Sequence, residues 1–242
     1  MTLAPPPPGT GARLELNSPL GPATTARLVA AATAHAPAVI VDHGCGWGSL
    51  LLDAIAASPG SRGTGVDVHE PDIERARGLA ERRGLADRAT FVAGSSTDVR
   101  DSADLLINIG AFQAFGTLEQ SLHVLAERLR PGGRMLFGAE YWREAPTPAE
   151  LAVMWEGATA DNALALPDVV DRVHAAGWRV LDLHDTTQTE FDAFEVGHLR
   201  EREEWLLDHP DHPVRDHLDR EWTAWLRGRR RPMGFITLLL GR

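Results

Sequence analysis

Apolar and polar positions along this chain change period repeatedly, from short unbroken apolar runs to apolar residues spaced three and four apart. Runs of the first kind read as strands buried on both faces, and the second as helices with one buried side. From residue 37 onward the two alternate. Residues 38–42 form a first strand, 47–57 a helix closed by Ser58-Pro59-Gly60, and 63–68 a second strand. The next helix, from about residue 71, carries Ile73, Ala76 and Ala80 on one face and stops at Gly84. Residues 89–93 and 104–109 read as the third and fourth strands. Thr117-Leu118-Glu119-Gln120 has capping-box form and opens a helix with Leu118, Leu122, Leu125 and Leu129 on its apolar side. Arg130-Pro131-Gly132-Gly133 is a turn before a strand at 134–138.

The two ends of the chain read differently. Residues 1–16, with Pro5-Pro6-Pro7-Pro8, are expected to form a disordered or extended tail. Asn17-Ser18-Pro19 offers a start signal for a helix running to about residue 35. After Glu140 comes a Pro- and Trp-containing segment to about residue 166, then a helix at 167–177 and a strand at 179–184. A long polar, mostly helical region spans about 187–231. Residues 233–240 close the chain as a strand too apolar to be a lone edge. The alternation implies an α/β fold, with a mostly parallel sheet of seven strands and helices on both faces. Residues 17–242 then form one domain. The stretches 139–166 and 187–231 are insertions near the C-terminal strands, fit for a substrate cap or a homodimer contact.

Composition narrows the partners. The formal net charge of −10 argues against a nucleic-acid surface, whose footprint is basic. No apolar run is long enough to span a bilayer, and the N-terminus lacks signal-peptide order. A single cysteine, Cys45, excludes an intrachain disulfide framework and fits a reducing cytoplasm. It reads as a small residue in a crowded loop rather than as a reactive thiol.

The first strand runs into Gly44-Cys45-Gly46-Trp47-Gly48, a turn in which backbone can approach a ligand closely. Asp67 ends the second strand roughly 20 residues on, the distance expected of an acid that grips ribose hydroxyls. Together they outweigh a plain tight turn with a surface acid. A dinucleotide fingerprint wants a third glycine where Ser49 stands, whereas here the glycines alternate around a bulky Trp47.

That pattern, with Asp42 just before it, resembles the first motif of class I S-adenosylmethionine-dependent methyltransferases. Gly65-Val66-Asp67 resembles their ribose motif, and Phe91-Val92-Ala93-Gly94-Ser95 their adenine-side loop. The stretch from Asp104 to Phe112 resembles the fourth-strand motif, and Leu129-Arg130-Pro131-Gly132-Gly133-Arg134 the turn before the fifth strand. The resemblance covers most of the chain and implies a Rossmann-like fold with S-adenosylmethionine as methyl donor. It assigns Gly44, Cys45, Gly46 and Gly48 to the methionine and ribose part, Asp67 to the ribose and Val68 to the adenine. Ser95 and Ser96 would face the adenine edge, Ile109 and Gly110 the methionine end, and Asp42 the ammonium, directly or through water. Two departures stand out. Ser95 replaces a common Asp, offering an uncharged acceptor. His43 stands where an apolar residue is usual, and reads as a buried neutral histidine bonded to backbone rather than as a substrate contact.

Methyl transfer from a sulfonium needs in-line positioning and exclusion of water more than acid–base chemistry. If the acceptor must lose a proton, the base lies past the fourth or fifth strand. Gln113, Glu140 and Tyr141 are the candidates there, with Phe112 and Trp142 as apolar walls. Asn108-Ile109-Gly110-Ala111 stands where many enzymes that methylate nucleobase or glutamine amino groups carry Asn/Asp-Pro-Pro-aromatic. The acceptor is therefore expected to be a small molecule. His209-Pro210-Asp211-His212-Pro213 reads as a turn between helices, with no metal expected, and Trp205, Trp222 and Trp225 as packing. Arg227 to Arg231 lie at a helix end, where cations complement the dipole. A nicotinamide-dependent oxidoreductase is the rival reading; it lacks a Tyr-x-x-x-Lys pair. A non-catalytic S-adenosylmethionine-binding protein is the other.

Overall fold

The computed structural model describes residues 4–242, in two compact units. The core unit comprises Leu20–Ala139, Pro167–Asp185 and Ile236–Arg242; the accessory unit comprises the residues through Pro19, Glu140–Leu166 and Thr186–Phe235. Strands β1 (Val39–His43), β2 (Arg62–Asp67), β3 (Ala89–Ala93), β4 (Ala103–Ile109), β5 (Leu129–Trp142), β6 (Arg179–Asp185) and β7 (Met233–Gly241) form one sheet. Its order is β3-β2-β1-β4-β5-β7-β6. The pairs β1–β2, β2–β3, β1–β4 and β4–β5 are parallel, and β6–β7 is antiparallel. Strand order reverses between β1 and β4, and ligands of open α/β sheets bind at the strand ends of such a point.

In the core unit, helices α1 (Pro22–Thr33), α2 (Ser49–Ala57), α3 (Glu70–Arg82), α4 (Leu118–Arg128) and α6 (Leu166–Ala175) bury one side each. On α3 that side is Ile73, Ala76 and Ala80, as the spacing predicts. The capping box at Thr117 and Gln120 forms, and Leu118, Leu122 and Leu125 are buried behind it. Helix α1 does not begin at the Asn17-Ser18-Pro19 signal. Gly21 caps it and Pro22, whose ring pre-sets helical φ, occupies its first turn. It ends at Thr33 because Ala36 turns left-handed, at φ 51°. Strand β5 is longer than expected at both ends. Ala103 pairs with Leu129 and Leu105 with Arg134, so the Pro-Gly-Gly turn survives as a bulge inside the strand. All of β7 is buried, between β5 and β6.

The accessory unit is built on α7 (Gln188–Asp208), α8 (Val214–Thr223) and a π-helical turn at Ala224–Arg229, with the short helix α5 (Pro148–Leu151) and a 3-10 turn at Ala160–Asn162. Residues 4–19 form no helix or strand, but they are tied to α7. Thr10 Oγ1 donates to Glu201 Oε2 at 2.6 Å, Arg13 pairs with Glu204 at 2.7 Å, and Leu14 fills the notch left by Gly197. Residues 1–3 of the expected tail lie outside the described residues. The His-Pro-Asp-His-Pro stretch is a turn between α7 and α8: His209 stacks on Trp205 at 3.9 Å and His212 Nδ1 accepts from the Val214 N–H. Among the described residues no helix is long and apolar enough to cross a membrane.

Candidate active site

In the core unit β1 ends at His43 and the chain enters α2 through three glycines of positive φ: Gly44 at 81°, Gly46 at 51° and Gly48 at 74°. A Cβ on Gly44 would lie 2.2 Å from that of Ala111, and one on Gly48 would lie 2.4 Å from the Phe91 ring. Backbone conformation and space both demand glycine there. The Gly44 and Cys45 N–H groups donate to the Val66 carbonyl at 2.8 and 3.0 Å. That of Gly46 donates to Asp67 Oδ2 at 2.9 Å, and that of Gly48 to the Cys45 carbonyl at 2.9 Å. A pyrophosphate needs free N–H groups at such a turn; these four are spent inside the protein.

A cavity of about 340 Å³ opens beside the turn, lined by Gly44, Asp67, Val68, Ser95, Ser96, Ala111, Gln113 and Ala114. Each Asp67 oxygen accepts one backbone N–H, Oδ2 from Gly46 and Oδ1 from His69, both at 2.9 Å. One acceptor site per oxygen remains, which is what a ribose cis-diol requires. Val68 is 78% exposed at the cavity, a large apolar surface that an adenine ring would cover. Ser95 Oγ shares a hydrogen bond with Thr97 Oγ1 at 2.7 Å and accepts the Thr97 N–H, while Ser96 is buried. Ile109 and Gly110 follow at the end of β4, where the Gly110 N–H donates to the Gly138 carbonyl at 2.9 Å.

Behind the turn, Asp42 is buried, and no hydrogen bond or ion pair reaches its carboxylate among the described residues. Burial, then the negative charge of Asp67, pushes its carboxyl well above the usual carboxylate range. A buried acid kept without a cation fits an ammonium supplied by a ligand. His43 is wholly buried and held neutral; burial, then the charge of Arg128, lowers it to about 4. The backbone bond expected of its ring is absent. Nδ1 has no partner, Nε2 lies 3.5 Å from Arg128 Nη1, and the ring packs edge-on against Phe115. What ties residue 43 down is its carbonyl, which accepts from Asn108 Nδ2 at 3.0 Å. Burial, then the carboxylates of Asp42 and Asp67, raises the Cys45 thiol, so it is no nucleophile.

The three acid–base candidates have different settings. Gln113 is exposed at the cavity, on a 3-10 turn at Phe112–Phe115. Tyr141, in the accessory unit, is buried, its ring packed against the backbone of Gly234. Its neighbour Trp142 is also buried and donates Nε1–H to the Ala160 carbonyl at 2.7 Å. Glu140 is open to solvent yet hemmed in by protein; desolvation raises its carboxyl, and Arg229 opposes the rise. Glu195 on α7 joins this group and was not foreseen. It takes a bond from Arg229 Nη2 at 2.6 Å, yet burial, reinforced by Glu140 and Glu221, moves its carboxyl up to about 7. No local pattern marks it, because its partner stands 34 residues away. The arginines after it are also paired, Arg230 with Asp192 and Arg231 with Glu150 and Glu144.

Fold and cavity together are those of a Rossmann-like α/β protein with a ligand site where strand order reverses. Residues 34–183 match the methyltransferase domain family, and the chain belongs to it as a class I S-adenosylmethionine-dependent methyltransferase. It is 29% identical over 174 residues to the uncharacterised protein YjhP of Escherichia coli K12, covering 71% of this chain and 70% of that one. A methyltransferase from Geobacter sulfurreducens, solved with S-adenosyl-L-homocysteine, superposes with a TM-score of 0.85 at 26% identity, over 97% of this chain and 96% of that one. The ribosomal protein L11 methyltransferase of Shewanella woodyi is 29% identical over 117 residues, 48% of this chain; the match spans only 38% of that enzyme. The methyl donor is S-adenosylmethionine.

Proposed function

We propose that this enzyme methylates a small molecule through a hydroxyl, amine or thiol. Bound S-adenosylmethionine supplies an activated methyl group. The protein orients it and keeps water away. In this reading Asp67 holds the ribose hydroxyls, Val68, Ser95 and Ser96 hold the adenine, Asp42 takes the ammonium, and Gly44, Cys45, Gly46, Gly48, Ile109 and Gly110 give the backbone close approach. Gln113 orients the acceptor at the cavity. Glu140, with its raised carboxyl, takes the proton that an acceptor hydroxyl or amine must lose, and Glu195 keeps the neighbouring charge low. Tyr141 is buried, so its part is to hold Glu140's strand in place.

The observation that carries the choice of acceptor is the state of Asn108. An enzyme that methylates amide or nucleobase amino groups needs a polar side chain there to grip the target. Here the Asn108 side chain is wholly buried, its Nδ2 donating to the His43 carbonyl and its Oδ1 without a partner, and Ile109-Gly110-Ala111 after it offers neither proline nor aromatic ring to seat a planar amide or base. The charge of −10 likewise disfavours a polyanionic acceptor. A protein acceptor is the competing reading, since one relative is a ribosomal protein methyltransferase.

Incubating the enzyme with methyl-labelled S-adenosylmethionine and a whole-cell extract separates the two. Label is expected in the solvent-extractable small molecules; label confined to precipitated protein overturns the proposal. Asp67→Ala abolishes that label, and weakens S-adenosylhomocysteine about 30-fold or more by removing two charge-assisted hydrogen bonds.

A further inference from the structure

The loop from Gly94 to Arg100, which supplies Ser95 and Ser96 to the cavity, belongs to no helix or strand. Its local bonds are few: the Ser95–Thr97 hydroxyl pair, the Thr97 N–H to Ser95 Oγ and the Asp98 N–H to the Ser95 carbonyl. Such a loop cannot hold a hydroxyl against a nucleobase edge by itself. One buried side chain reaches it from elsewhere in the core unit.

Arg128 ends α4 and is 8% exposed. Nη1 donates to the carbonyls of Ser96 at 2.8 Å and Val99 at 2.6 Å, and Nη2 to that of Thr97 at 3.3 Å. The guanidinium also lies over the Phe115 ring, 4.9 Å from its centre, and beside His43 Nε2. Its hydrogen bonds to carboxylates number none among the described residues. Glu127 and Arg100 act on it only through space, with opposite sign; its direct contacts are three loop carbonyls and an aromatic face. A planar fork of fixed donors sets the spacing of those carbonyls as an ammonium cannot. His43 explains itself here: a neutral imidazole can lie against the guanidinium without repelling it, and lysine or arginine at 43 could not.

We propose that Arg128 is a positioning residue that fixes the adenine-side loop through its backbone carbonyls and thereby sets nucleobase selectivity. The inference rests on the assignment of adenine to Ser95 and Ser96 made above. It predicts more than weaker binding. A loop merely loosened binds every nucleoside ligand less well by one factor; a loop whose hydroxyls lose register stops telling one base edge from another.

Calorimetric titration with S-adenosylhomocysteine and its deaminated analogue S-inosylhomocysteine reads the difference. The wild type prefers the adenine ligand. Arg128→Met lowers affinity for S-adenosylhomocysteine about tenfold and shrinks that preference at least about threefold; Arg128→Lys, the milder variant, falls between the two. Equal weakening of both ligands, or affinity within about twofold of wild type, overturns the proposal. Asp67→Ala, measured alongside, keeps the two readings apart. If it weakens binding while the Arg128 variants do not, only Arg128 is misassigned. If Asp67→Ala binds normally, the placement of the nucleoside itself fails.

Discussion

The two units recognise their surroundings by different means. The core unit builds its site from backbone: three left-handed glycines, the ends of β1, β2 and β4, and carbonyls and N–H groups that satisfy one another. The accessory unit ties segments far apart in sequence together with long charged side chains, several of them half-exposed. Arg229 with Glu195, Arg230 with Asp192, and Arg231 with Glu150 are separated by 34, 38 and 81 residues. Backbone sites need particular residues at particular steps, so they leave motifs. Side-chain sites need only complementary groups meeting in space, and many sequences supply those.

Glycine substitutions give the sharpest break. Gly44→Ala forces a Cβ to 2.2 Å from Ala111 at a φ of 81°. The left-handed conformation costs roughly 1–2 kcal/mol and overpacking about 1–3 more, for a loss of about 2–5 kcal/mol in urea unfolding. Gly157 of the accessory unit has a similar φ, 79°, with nothing within 4 Å of its Cβ position. Gly157→Ala should lose only the conformational part, about 1–2 kcal/mol. Equal losses at the two sites would dissolve the contrast between them.

Legibility followed the same line. The turn at Gly44–Gly48, the place of Asp67 at the end of β2, the capping box at Thr117 and the seven strands were readable because each depends on local chemistry or strict spacing. The start of α1 was not. Asn17-Ser18 and Gly21-Pro22 both offer a start, and the choice went to the second, with Ser18 left buried. Arg128 and Glu195 were invisible for another reason. Their roles come from burial and from partners about 30 residues away. His43 was half legible: neutral and buried as expected, but opposed by a guanidinium rather than bonded through its ring to backbone.

Glu195 sharpens the comparison from the accessory side. Folded, it keeps its proton to about 7; unfolded, it releases it near the ordinary glutamate value of 4.5. The native state thus binds more protons across that window. Stability attributable to this group is full below about 4.5, falls as pH rises and levels off above about 7. Urea unfolding of wild type and Glu195→Gln over that range should show a difference in slope amounting to about 2–3 kcal/mol, present in the wild type alone. Parallel profiles would mean that Arg229 already holds the carboxylate ionised, and Glu195 would then be an ordinary ion-pair partner.

Asp42 is where the core unit departs from its own rule, because a buried side-chain charge there goes unanswered by the protein. A carboxyl raised by burial costs the empty protein stability at neutral pH, and that cost is sensible only if a ligand's cation repays it. Asp42→Asn keeps the shape and removes the charge. It should raise the melting temperature of the ligand-free protein by about 2–4 °C, the equivalent of about 1 kcal/mol at this chain length. The same change should weaken S-adenosylhomocysteine about tenfold or more, because a charge-assisted contact to the ammonium is lost. Opposite signs for stability and binding are the signature of a group retained for its ligand. A variant that melts lower, or binds as the wild type does, would make Asp42 a structural acid and return the ammonium to the backbone of the glycine turn.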